Sequence, residues 1–123
     1  MKKLQLLLLL VVGFSISAMS QVKRTGGLET ATIKTPTVQC EECKKRIENY
    51  VSREEGVQKV VVDYKKKVTK VTYVVDRTTV ENVKAAIANI GYDADDVTAE
   101  PDAYKRLPTC CKKTEDGGGH EKH

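Results

Sequence analysis

Aromatic side chains are scarce in this chain, with one Phe, no Trp and five Tyr among 123 residues. A core built on stacked rings is excluded, and Val, Ile and Ala must supply the interior. A dominant charge sign is lacking as well. The formal net charge is +4. Without Lys2 and Lys3 the 21 basic residues become 19 against 17 acidic ones, a net charge near +2. That balance, with no aromatic stripe beside the basic residues, argues against a nucleic-acid partner. Long apolar runs are missing too. The longest, Leu6 to Val12, falls short of the ~20 residues a spanning helix needs and fades into polar sequence.

That run instead has the three-part layout of a secretory signal. Met1-Lys2-Lys3 is a basic start, the apolar stretch follows, and Ala18-Met19-Ser20 offers small residues for cleavage before Gln21. Residues 1–20 are therefore expected to be removed, leaving an exported, periplasmic protein with no stable membrane insertion. No cysteine lies near the cleavage site, which argues against a lipid anchor. Residues 21–28 read as a flexible leader, 29–99 as one small domain, and 100–123 as a flexible tail holding Cys and His.

Only four cysteines are present, as two local pairs: Cys40/Cys43 and Cys110/Cys111. Bridges within such pairs would close loops too short to stabilise much, so structural stapling is the weaker explanation. Cys40-Glu41-Glu42-Cys43 runs into Lys44-Lys45-Arg46-Ile47, at the junction of a β-rich segment and a helix. Two thiols three positions apart can converge on one soft cation. A helix start favours the thiolate through its unpaired N–H groups and dipole. Glu41 and Glu42 are read as solvent-facing residues of the first turn. A lone CxxC is shared by redox enzymes and half zinc sites, and the rest of the chain must decide between them.

Thr30 to Thr37, rich in β-branched residues, predicts a strand ending at Pro36. Cys43, Ile47, Tyr50 and Val51 mark one face of a helix that stops near Gly56. Val57 to Tyr64 predicts a second strand, Lys65–Lys67 a turn, and a third strand carries Val71, Tyr73 and Val75 on one face. Thr78 or Thr79 caps a second helix with the stripe Val80, Val83, Ile87 and Ile90, ended by Gly91. A last strand is expected near Asp96 to Ala99. The order β-α-β-β-α-β is the ferredoxin-like arrangement, an α+β sandwich with a four-stranded antiparallel sheet and two helices on one face. Its topology collects Cys40, Cys43, Tyr92 and the positive charges Lys44 to Arg46 and Lys65 to Lys67 at one pole.

With the CxxC at the helix start, Glu55-Gly56-Val57, Ala86-Ile87 and Gly91-Tyr92, the chain resembles the heavy-metal-associated domain family over roughly residues 30–99. Small copper chaperones and periplasmic mercury-binding proteins belong to it. The family pattern Gly-Met-x-Cys-x-x-Cys is altered here, with Thr37 and Val38 in place of Gly and Met. In the family that Met packs beneath the loop, a role Val38 would fill with less volume. The resemblance implies a soft metal without naming it, and a contact from the Tyr92 hydroxyl to the thiolates.

Two thiolates without a nearby His or carboxylate suit two-coordinate Cu(I) or Hg(II), whereas structural zinc takes four ligands. The metal ligands expected are Cys40 and Cys43, with Cu(I) preferred and Hg(II) or Zn(II) as alternatives. An open two-ligand site lets a partner thiolate add before an old bond breaks, so the expected role is a non-enzymatic carrier. Its partner would be a metal-transporting membrane protein or another metal-binding domain, and the carrier a monomer. Lys44 and its basic neighbours would balance the anionic site and dock an acidic partner. A stretch of about ten residues spans some 30 Å, so Cys110 and Cys111 can reach the main pair as auxiliary ligands. His120 and His123 lie in a low-complexity terminus. The competing class is a thiol-disulfide oxidoreductase using the same CxxC. It lacks the thioredoxin strand-helix lead-in and an aromatic beside Cys40.

Overall fold

A computed structural model describes residues 27–118. The expected signal, most of the leader, His120 and His123 lie outside the described residues. No helix among the described residues is long and apolar enough to cross a membrane.

Strand β1 (Leu28–Lys34) is followed by helix α1 (Glu41–Val51), strands β2 (Val57–Asp63) and β3 (Val68–Val74), and helix α2 (Val80–Asn89). The sheet is antiparallel, in the order β1-β3-β2, so β3 is central. Alternation sends Ile33, Val62, Thr69, Val71 and Tyr73 to the buried face, while Lys70 and Val61 face solvent. Against that face pack Ile47 and Val51 of α1 and Val83 and Ile87 of α2, all at most 1% exposed. The expected helix stripes hold, except that Tyr50 is 47% exposed and belongs to the surface.

The ends of these elements follow from local chemistry. Thr79 caps α2 by accepting a hydrogen bond from the Asn82 N–H at 3.2 Å. Asp63 organises the β2–β3 turn by accepting from the Lys65 and Lys66 N–H groups, which holds its carboxyl below the usual range. Lys67 completes that turn at φ 60°. Glu48 of α1 accepts from the Val62 N–H at 3.1 Å, covering part of the outer edge of β2.

The sheet has three strands among the described residues, not the four expected. Residues 96–99 do not pair along β1. Asp93-Ala94-Asp95-Asp96 contains residue types that strands disfavour. Asp95 adopts φ 51°, and an isolated bridge joins Ala94 to Val97 in a tight turn. Contact with β1 is limited to its end, where Asp95 N–H donates to Lys34 O at 2.8 Å and its carboxylate accepts from Lys34 N–H at 2.6 Å. Asp93 then accepts from Ala99 N–H at 2.8 Å, and Glu100 N–H bonds the Ala88 carbonyl at 2.9 Å. The chain is thereby drawn toward α2. The coarse ferredoxin-like α+β fold remains.

The segment expected as a flexible tail forms, over its described part, helix α3 (Pro101–Lys105) and two 3-10 turns, Thr109–Cys111 and Thr114–Asp116. Glu100 caps α3 by accepting from the Asp102 and Ala103 N–H groups, with Pro101 in the first turn. Ala103 and Leu107 are 5% exposed and Cys111 is fully buried, so this segment is a cap packed on the domain. Gly91 makes the close approach possible. It has φ 103°, and a Cβ there would lie 3.0 Å from the Ala103 backbone.

Candidate metal centre

The loop between β1 and α1 is built before any cysteine is reached. Thr35 N–H bonds the Lys67 carbonyl at 2.9 Å, which brings the hairpin turn to the same pole as the loop. The buried hydroxyls of Thr35 and Thr69 satisfy each other at 3.0 Å. Val38 is fully buried in the core beneath the loop, the place that the resemblance implied for it. The Lys67 ammonium donates to the Val38 carbonyl, placing one positive charge against the loop.

Cys40 is the N-cap residue of α1, in extended conformation with φ −152°, and no side chain caps the helix there. The first-turn N–H groups of α1 are thus left without a side-chain acceptor, and the positive end of the helix dipole meets the loop. Cys43 sits in that first turn, and its sulfur lies 3.3 Å from the Cys40 sulfur. Cys40 is 5% exposed and Cys43 fully buried.

The cap closes over this pair. Cys43 and Cys111 are disulfide-bonded, with Cα atoms 5.8 Å apart and a sequence separation of 68. The bond is long-range and ties the cap to α1, which corrects the reading of structural stapling as the weaker explanation; pairing with Cys40 or Cys43 is one of two fates, beside metal binding, expected for the tail cysteines. Two adjacent cysteines pair poorly with each other because their Cα atoms are too close and their side chains diverge. Cys110 and Cys111 accordingly hold their sulfurs 4.0 Å apart, unbonded. The thiols of Cys40 and Cys110 are free, and Cys40 reaches the Cys110 carbonyl at 3.8 Å. The sulfurs of Cys40, Cys110 and Cys111 all lie within 4.8 Å of one another. Burial, and then the neighbouring Cys40, push the Cys110 thiol above its ordinary pKa.

Tyr92 is fully buried, and its hydroxyl has no hydrogen-bond partner among the described residues. Burial pushes the phenol far above its ordinary pKa. The Arg46 guanidinium opposes that shift, and charge on Cys40 or Cys110 would add to it, so the hydroxyl stays a donor beside the sulfur cluster. A buried donor without an acceptor costs about 1–3 kcal/mol. An anionic sulfur in the cluster would supply the missing acceptor. Tyr92→Phe should therefore leave the stability of the metal-free protein unchanged or raise it by up to about 1 kcal/mol. Urea denaturation of both proteins checks this, and a clear loss would show that the hydroxyl already has a partner.

Lys44 closes the first turn of α1, its N–H bonding the Cys40 carbonyl at 3.1 Å. Among the described residues no hydrogen bond or ion pair joins its ammonium to a cysteine. Lys67 instead supplies the charge that touches the loop. Sequence reasoning missed the residues that seat the cap. Gln39 donates from Nε2 to the Lys112 carbonyl at 2.5 Å. The Tyr104 hydroxyl accepts from Lys113 N–H at 2.9 Å and donates to the Asp116 carboxylate at 2.5 Å. The Lys113 ammonium sits 5.8 Å from the centre of the Tyr104 ring. Glu100-Pro101-Asp102 was the available signal, an N-cap acceptor followed by Pro at a helix start.

Comparison with known proteins agrees with this geometry. The heavy-metal-associated domain matches residues 32–93. The mercuric transport protein periplasmic component of Shewanella putrefaciens is 33% identical over 78 residues, covering 63% of this chain and 86% of that protein. The crystal structure of oxidised MerP from Ralstonia metallidurans superposes with a TM-score of 0.54 at 29% identity, over 56% of this chain and 96% of that one. The N-terminal domain of a potential copper-translocating P-type ATPase from Bacillus subtilis, in its Cu(I)-loaded state, gives 0.53 at 26% identity, over 56% of this chain and 86% of that one. Since the match takes in half of its residues, from the loop strand through the Gly91-Tyr92 step, the chain belongs to the heavy-metal-associated domain family.

Proposed function

We propose that this protein is an exported carrier of a thiophilic ion, held by Cys40 and Cys43 and passed to a partner by thiolate exchange. The observation that carries the reading is the converged sulfur pair at the head of α1, inside a fold of this family. Relatives named for mercury transport and for copper translocation support a soft cargo. Thiolates select such ions over hard ones, and Cu(I) is the preferred cargo, with Hg(II) or Zn(II) as alternatives. In the exchange a partner thiolate adds to the ion, and one carrier sulfur then leaves, so no electrons move. Lys45, Arg46, Lys65 and Lys66 are exposed on the domain and suit an acidic docking face on a membrane transporter or a second metal-binding domain. The signal-like N-terminus and the periplasmic relative support export.

The disulfide beside two free thiols gives the oxidoreductase reading a specific observation of its own. Both sulfurs of the bond belong to fully buried residues, so a redox substrate, like the partner thiolate of the carrier, reaches them only once the cap lifts, and the assay below separates the two readings. The test is anaerobic. Reduced protein should take up one Cu(I) against a competing thiol chelator and then yield it to a second heavy-metal-associated domain. In an insulin-reduction assay it should stay near the rate of a simple dithiol. Failure to take up Cu(I), or multiple-turnover insulin reduction that disappears in Cys40→Ser, would overturn the carrier.

A further inference from the structure

We infer that the reduced protein holds its ion on four sulfurs, with Cys110 and Cys111 of the cap completing the site begun by Cys40 and Cys43, and that this four-sulfur site accommodates, besides Cu(I), a soft divalent ion of the zinc group, the alternative cargo. This rests on the carrier reading and sharpens it. The cap lies beyond the residues that match the family, so its sulfurs are an addition of this chain to the two-sulfur loop.

The separations support four ligands over two. Sulfurs on opposite sides of one ion at about 2.3 Å would stand about 4.6 Å apart, whereas four around it tetrahedrally stand about 3.8 Å apart. Cys40 and Cys43 are at 3.3 Å, closer than a linear pair requires. Cys110 and Cys111 are at 4.0 Å, near the tetrahedral edge. Cys40, Cys110 and Cys111 form a triangle with no side above 4.8 Å. The fourth sulfur, Cys43, is already bonded to Cys111. Opening that bond with a dithiol reductant adds two electrons and two protons to the two sulfurs, and the reductant leaves as its own disulfide. Four thiols then face one another, and each loses its proton to solvent as the ion binds.

The surroundings fit a closed anionic site. Four thiolates around a divalent ion carry a net double negative charge. The Lys67 ammonium at the Val38 carbonyl, two residues from Cys40 in the loop, and the uncapped first turn of α1 supply positive charge at the same pole. The unpartnered Tyr92 hydroxyl is buried in the same core cluster as Cys40, Cys43 and Cys111. The cap is seated for this role by more than the disulfide, through buried Leu107 and the Gln39–Lys112 hydrogen bond. It covers sulfurs that a two-ligand carrier would leave open, so release to a partner requires the cap to lift.

The experiment uses the full chain, reduced and anaerobic, loaded with one equivalent of Cd(II) alone and read by X-ray absorption and by retention against a chelator. Wild type should show four sulfur neighbours. Cys110→Ser, at a half-buried position that tolerates the change, should show three, and Cys110→Ser with Cys111→Ser should show two. Each loss should weaken retention by at least tenfold. Circular dichroism confirms that each variant is folded, and the Cys110→Ser result stands alone if the double variant is not. Equal sulfur counts and equal retention in wild type and Cys110→Ser would overturn the four-sulfur site while leaving the Cys40/Cys43 carrier intact. Full retention in Cys40→Ser with Cys43→Ser would instead overturn the carrier reading on which it rests. No uptake of Cd(II) by wild type would overturn the choice of a divalent ion.

Discussion

Reduction of the Cys43–Cys111 bond should lower stability by about 4 kcal/mol, the loop-closure entropy expected for a cross-link spanning 68 positions. That is a large share of the roughly 5–15 kcal/mol by which domains are stable. The bond joins the first turn of α1 to the second-last turn of the described chain, so in the unfolded state it constrains nearly the whole domain. In the folded state its loss leaves the cap on Leu107, Ala103 and the Gln39–Lys112 hydrogen bond. Urea unfolding of oxidised and reduced protein should differ in midpoint by roughly 2–4 M, for a slope of about 1–2 kcal/mol per M. The variant with all four cysteines replaced by alanine should unfold at one midpoint whether or not reductant is present, because Cys40 and Cys110 are also near enough to pair. The single Cys111→Ala variant is a poor control, because Cys43 then lies 3.3 Å from the Cys40 thiol and can pair with it. Coincident midpoints for oxidised and reduced wild type would show that the bond adds nothing to the fold.

The elements that were legible are those whose hydrophobic period matches a single structure. Val60, Val62 and Tyr64 alternate, as do Val71 and Tyr73, and β2 and β3 follow. Val83 and Ile87 repeat at helical spacing, with Thr79 before them and Gly91 after, so α2 is punctuated at both ends. Tyr50 failed because an amphipathic ring at the margin of the stripe gains as much from solvent as from the core. The fourth strand failed for a different reason. Only the order of the preceding elements points to a strand there. The Asp93 carboxylate instead accepts from Ala99 N–H, Asp95 accepts from Lys34 N–H at the end of β1, and Asp96 pairs with the Lys84 ammonium, so the chain turns before a ladder can form.

The site was legible where it depends on neighbours in sequence. The CxxC spacing at a helix start places two sulfurs together without any tertiary contact, and the structure has them at 3.3 Å. The partners of Cys110 and Cys111 depend on the path of the chain from 100 to 111, which the Gly-rich terminus and two prolines disguised as a linker. The reach of that stretch was calculable and the sulfurs do arrive at the main pair. What reach could not supply was which sulfurs meet: the Ala103 backbone packs on Gly91, Leu107 is buried, and Cys111 rather than Cys110 bonds Cys43. Apolar residues spaced four apart in a terminal segment were the overlooked clue.

Replacing Cys40 and Cys43 together with serine should abolish tight uptake of Cu(I) by the reduced protein. A neutral hydroxyl in place of a thiolate removes both charge and softness from the ligand, the two properties that select this class of ion. The loss should exceed the roughly 10–100-fold that follows when only an outer partner of a metal ligand is removed. Cys110 and Cys111 remain in this variant, so a residual, weak uptake is expected that a competing thiol chelator strips away. Working under reductant matters, because it removes the disulfide from wild type too and leaves the sulfurs as the sole difference between the proteins. Circular dichroism establishes that the serine variant is folded, which the core of Ile47, Val51, Val71 and Ile87 should secure without the loop. Uptake is read as the fraction of Cu(I) retained at rising chelator concentration. A curve that superposes on wild type would remove Cys40 and Cys43 from the site and leave the ion to the cap alone.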